Sequence, residues 1–130
     1  MSKEYGIRKK TSLSYDDAVA RIRQLLGENG FGVLTEIDMK EKLKEKLGVE
    51  IQRYVILGAC NPPLAYKALQ SEKEIGLLLP CNVIVYEEGD GTVVAAMDPM
   101  VMAEVIPDNA MLAEVARDAR EKLVRALNAL

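Results

Sequence analysis

The chain has no histidine and no tryptophan, one phenylalanine, and two cysteines in 130 residues. Without histidine there is no Ser/His/Asp or Cys/His triad, no His-bearing zinc site and no imidazole base near neutral pH. Two cysteines are too few for a disulfide-stapled secreted scaffold and suit a reducing compartment. No apolar run reaches the roughly 18 to 20 residues of a membrane span. Residues 1–11 are polar and basic and no apolar leader core follows them, so a cytoplasmic, soluble protein is expected. Basic residues are missing from one whole stretch: residues 75–116 hold no Lys or Arg against 7 acids, whereas residues 1–74 hold 13 against 11 and residues 117–130 hold 4 against 2. An acidic middle and a pI near 5.1 argue against nucleic acid, whose phosphates require a basic patch.

At 49% hydrophobic content, residues 1–130 suffice for one domain that folds alone. Residues 58–88 organise it, because both cysteines and three of the five prolines fall there. Asn61 is an N-cap and Pro62 sits where a helix needs no N–H, which predicts a helix to about Gln70. Pro80 suits the start of a strand, placing Cys81 at the mouth of the next one.

Elsewhere the periodicity alternates between the two regular types. Strands are expected near residues 4–11, 31–37, 50–59, 81–87 and 92–97, with Phe31, Val33, Thr35 and Ile37 on one face of the second. Ser14 caps a helix whose stripe is Tyr15, Val19, Ile22, Leu25 and Leu26. Asp38 begins a charged peripheral helix that Gly48 ends, and the mixed charge of that helix reads as a solvated face. Glu88-Gly89-Asp90-Gly91 signals a hairpin. Residues 100–106 form an apolar connector with no assigned conformation. Residues 108–130 predict the longest helix, with Leu112, Val115, Ala116, Ala119, Leu123, Ala126, Leu127 and Leu130 on its buried face. The fold class is therefore α+β: a single domain with a curved, mainly antiparallel five-stranded sheet in β-α-β-β-β-β-α order, short helical insertions, helices on one face, and a long C-terminal helix.

The run GACNPPLAYKAL, the following IGLLLPCNVIVYE and the earlier NGFGVLTEIDMKEKLKEKLG together resemble the prokaryotic domain-of-unknown-function family numbered 302. The likeness covers residues 5 to about 97 well and the terminal helix more loosely, and three motifs in order at the right spacing make it specific. It implies a TATA-binding-protein-like or helix-grip arrangement and frequent dimerisation. It implies no particular activity.

Candidate site residues are Cys60, Asn61, Cys81 and Asp98. The two thiols flank one helical excursion and would meet at one edge of the sheet. Directly opposed, they would suit a reversible disulfide or a soft metal; the bland alternative is two small buried hydrophobes. Met97, Met100, Met102 and Met111 admit a Cu(I) reading but fit adaptable packing better. Asp98 is either a site acid at a strand end or the cap of the turn that follows it. No catalytic residue, metal or cofactor is assigned, and the balance leans away from an enzyme. The preferred function is a non-enzymatic module binding a small ligand in a pocket between sheet and helix, rimmed by Cys60, Asn61 and Cys81. A thiol-dependent redox or metal-handling protein and a structural subunit are the alternatives. A homodimer through the apolar residues 100–106 is expected.

Overall fold

Five strands, β1 (Gly6–Thr11), β2 (Gly32–Asp38), β3 (Tyr54–Cys60), β4 (Cys81–Glu88) and β5 (Gly91–Met97), pair antiparallel in one sheet of spatial order β1-β5-β4-β3-β2. The structure, a computed structural model, describes residues 4–130. Residues 1–3 of the expected domain lie outside that range. Helices α1 (Tyr15–Glu28), α2 (Met39–Leu47), α3 (Pro62–Ser71), α4 (Met100–Val105) and α5 (Ala110–Asn128) fill the connections, with a 3-10 turn at Lys73–Leu78. The expected α+β class and element order are those observed.

Local chemistry explains where the helices begin. Ser14, Asp38, Asn61 and Asn109 each accept the backbone N–H three residues on, from Asp17, Glu41, Leu64 and Leu112, at 3.1, 2.9, 3.3 and 3.0 Å. Each side chain thereby satisfies one of the N–H groups that a helix start leaves without an intrahelical partner. Gly48, at φ 70°, ends α2, and Gly89, at φ 61°, turns the β4–β5 hairpin; both angles favour glycine.

The hydrophobic core lies between one face of the sheet and the helices. Val55, Leu57 and Ala59 of β3, Cys81, Val83 and Val85 of β4, and Val94 and Ala96 of β5 alternate inward and join one cluster with Ala18, Ile22, Leu25 and Leu26 of α1 and Leu112, Val115, Ala116, Ala119 and Leu123 of α5. At 19 residues, α5 spans about 29 Å by the standard rise per residue, enough to reach across the sheet.

Three expectations need correction. The second strand does not keep one apolar face: Val33 pairs with Ala59 but Thr35 pairs with the adjacent Gly58, so a bulge at Leu34 turns the chain over. Phe31 is buried in the core, while Ile37 emerges on the other face, 42% exposed. The third strand starts at Tyr54 rather than near residue 50, because the loop before it is tied to α2: the Lys40 ammonium donates to the Ile51 carbonyl at 2.8 Å. Finally, residues 100–106 are largely helical, with Met102 fully buried and Met100, Ala103 and Ile106 packed against the core. Their apolar surface faces inward and leaves Val105 as the exposed large side chain of the segment.

Two variants check this packing. Leu123 has no exposure, so Leu123→Ala should cost about 2–5 kcal/mol in chemical denaturation. Leu123→Asp should abolish cooperative thermal unfolding; an unchanged melting temperature would show α5 to be peripheral. A Cβ on Gly58 would collide with Thr35 Oγ1 and stand 2.9 Å from Pro80 Cγ. Gly58→Ala should therefore cost about 1–3 kcal/mol, and adding Thr35→Ala should recover part of that loss. Full additivity of the pair would contradict the contact.

Candidate functional site

The structure gathers three of the four candidate residues at one end of the sheet. Cys60 closes β3, Asn61 caps α3, and Cys81 opens β4; all three line a small cavity together with Phe31, Leu64 and Met102. Its volume of about 30 Å³ is room for roughly one or two waters. Ligand pockets run to roughly 300–1,000 Å³.

The cysteines are not directly opposed. Cys81 pairs with Ala59 on β3, and Cys60 pairs with Gly32 on the other side. A one-residue offset removes the facing geometry in which a cross-strand disulfide forms. Both thiols are free, Cys60 half-buried and Cys81 buried. Burial, helped by the nearby Cys60, pushes the Cys81 thiol up to about 11, so little of it is the reactive thiolate at neutral pH.

The other two candidates are committed to structure. Asn61 holds the α3 start through its Oδ1, and its Nδ2 lies 3.0 Å from where a Cβ on Gly30 would sit. Asp98 stands apart from the cavity: its Oδ1 accepts the Met100 N–H at 2.9 Å and its Oδ2 accepts from Arg120 Nε at 3.1 Å. Its capping alternative is thus the one the geometry displays. Among the described residues no three of His, Cys, Asp or Glu converge as metal ligands.

The larger feature is the opposite face of the sheet. Strand register arranges its outward side chains in three rows: Gly6, Met97, Asn82, Gly58 and Thr35; then Arg8, Ala95, Ile84, Ile56 and Ile37; then Lys10, Val93, Tyr86 and Tyr54. None of these residues belongs to the helix-side core. The middle row is apolar from β5 to β2, and Arg8 stands at its β1 end. Tyr54 and Tyr86, cross-strand partners, stack with ring centroids 5.5 Å apart and planes 14° apart, a geometry favourable beyond the area it buries. Partial burial, and then the neighbouring Tyr86 and Tyr5, raise the Tyr54 phenol above its ordinary value. Tyr5, Arg8, Asn82, Ile84, Tyr86 and Met97 are among the residues lining an open depression of about 430 Å³ on this face.

From sequence, the apolar end of residues 51–59 predicts a strand covered on both faces; the helices cover only one. The signal of the open face is present: β3, β4 and β5 are apolar in both alternating phases, as in YVILGAC, CNVIVYEE and GTVVAAM. A half-covered antiparallel strand would read polar in one phase.

The molecule is an α+β sandwich of one sheet and one main helical layer, with a shallow apolar seat on the uncovered side of the sheet. A family model described as "Domain of unknown function DUF302" matches residues 7–130, and the chain belongs to that family. It is similar to the solved crystal structure of an uncharacterized conserved DUF302 protein from Bacillus stearothermophilus, at 30% identity over 97% of this chain and 98% of that one, with a TM-score of 0.89. No curated protein matches the chain. Among the described residues no helix is long and apolar enough to cross a membrane.

Thiol accessibility separates the two cysteines. With an aromatic disulfide reagent at pH 8, native protein should release one equivalent quickly, from Cys60. The second should appear only on denaturation, because each unit of pKa above the ordinary value removes a factor of ten in thiolate. Fast reaction of both, surviving in a Cys60→Ser variant as rapid labelling of Cys81, would contradict the buried, protonated state.

Proposed function

We propose that this chain is a non-enzymatic module that binds a small ligand, and that the ligand sits on the open face of the sheet rather than in the cavity beside Cys60. The observation that carries this reading is the depression of about 430 Å³ lined by Tyr5, Arg8, Asn82, Ile84, Tyr86 and Met97. It combines an apolar floor with a few polar groups at its edge, the make-up of small-molecule sites. The Cys60 cavity is an order of magnitude smaller. A buried Cys81 whose thiol is held protonated gives the thiol-redox alternative little support. Two free thiols are in keeping with the cytoplasm as its place of work.

Self-association is the competing use of this face, and it is how the chain would form a homodimer or act as a structural subunit. A two-fold contact would lay the face against itself. Arg8 and Lys10 stand on the β1 edge, so like charge would disfavour the two-fold arrangement that opposes the two β1 edges.

Backbone amide NMR against a mixture of small aromatic compounds tests the assignment. Shifts should concentrate at Ile84, Tyr86, Ala95 and Met97. Ile84→Glu should weaken binding at least about tenfold by placing a charge on the apolar floor, while helix content stays unchanged. Shifts confined to the surroundings of Cys60 would return the ligand to the smaller cavity. A concentration-dependent dimer in sedimentation that Ile84→Glu dissolves would assign the face to a second copy.

A further inference from the structure

The cations of the open face are gathered on one edge strand. Formal net charge is −3, yet the three rows hold two cations, Arg8 and Lys10, and no acid. Both cations come from β1, and acids flank the rows: Glu4 pairs with Arg8, and Glu88 follows Tyr86 in the same outward phase of β4. The acids of β2 lie in the other phase, Glu36 pairing with Leu57 and Asp38 with Val55, both core-side positions.

Arg8 is placed to meet a ligand. Its Nη2 lies 2.9 Å from where a Cβ on Gly6 would be, so the guanidinium folds along β1 over a residue with no side chain and forms a wall of the depression. Its Nη1 pairs with Glu4 Oε1 at 3.0 Å, with both side chains more than half exposed, at 52% and 72%. Solvent makes such a pair worth little and easily exchanged. A ligand carboxylate on the apolar floor, partly shielded from water, competes for the same planar fork with two parallel hydrogen bonds. Across the depression the stacked Tyr54 and Tyr86 present a flat apolar wall.

We infer that the open face selects a flat aromatic carboxylate, with its ring on Ile84 and Met97 against Tyr86 and its anionic group on Arg8. Lys10, one row away on the same strand, adds long-range attraction. This inference rests on the small-ligand reading above and names the class of ligand for that seat.

The test compares 2-naphthoate with 2-naphthamide, which share a ring and differ in charge, using amide shifts of the full chain at neutral pH. Naphthoate should bind about tenfold or more tighter than naphthamide, the usual gain of a charge-assisted hydrogen bond. Its affinity should fall with added salt while that of naphthamide holds. Arg8→Gln should reduce the difference between the two to less than about threefold and leave the naphthamide affinity in place, as expected when only the charged contact is lost. Gly6→Ala, which displaces the guanidinium without removing its charge, should lower the preference as well. Equal binding of the two probes on the open face overturns the anion selection while leaving the seat intact. Loss of both probes in Arg8→Gln, with unchanged melting, makes Arg8 a packing residue and overturns it too. If neither probe moves the open-face resonances, the seat itself fails and this inference with it.

Discussion

A β-sheet has two faces, and this chain has enough helix to bury one of them. Every second residue of β3, β4 and β5 meets α1 and α5: Leu57, Val83, Val85 and Val94 are fully buried there. The strands do not become polar in the alternate phase, so Ile56, Ile84, Tyr86 and Met97 form a half-buried apolar surface over which no helix packs, with Val93 and Ala95 buried between them and β1. The stability of the domain follows from the first phase. The proposed binding role rests on the second, because an apolar sheet face without a helical layer gains free energy from whatever displaces water from it.

The distribution of charge fits this division. Between residues 75 and 116 the chain carries acids without bases, and those acids serve the periphery. Glu87 and Glu88 end β4 beside the hairpin, and Asp98 accepts the Met100 N–H in the turn before α4 and holds Arg120. β1, an edge strand, brings Arg8, Lys9 and Lys10 alongside β5, and positive edge residues discourage strand addition. Arg8 and Lys10 share the outward phase, and Glu4 pairs with Arg8 there.

Most of the fold was legible in the sequence because its determinants are local. Ser14, Asp38 and Asn61 announce helix starts within three residues, Gly89 marks the hairpin, and α5 shows its buried face as a 3.6-residue stripe. What escaped depends on residues distant in the chain. The bulge at Leu34 exists because Thr35 must lie over Gly58, a contact between strands that sequence alternation does not encode. The offset of Cys60 from Cys81 is one residue of register, decided by the full β3–β4 ladder rather than by either cysteine. Residues 100–106 looked like exposed apolar surface because nothing in the sequence marks which of them the core receives; Met102 is enclosed and Val105 is not. The open face went unremarked for a related reason. Cysteine and asparagine attract notice as chemistry-bearing residues, whereas a sheet face made of isoleucine, tyrosine and alanine reads as ordinary strand.

The central claim is that the second face of the sheet is open in solution. A soluble paramagnetic chelate, which broadens methyl resonances that water can reach, measures this directly. In ligand-free protein, the methyl groups of Ile56, Ile84 and Met97 should broaden strongly, while those of Leu57, Val83 and Leu123 should stay sharp. Protection of Ile56 and Ile84 to the level of Leu57, independent of any added ligand, would mean that the face is already covered and would contradict the account.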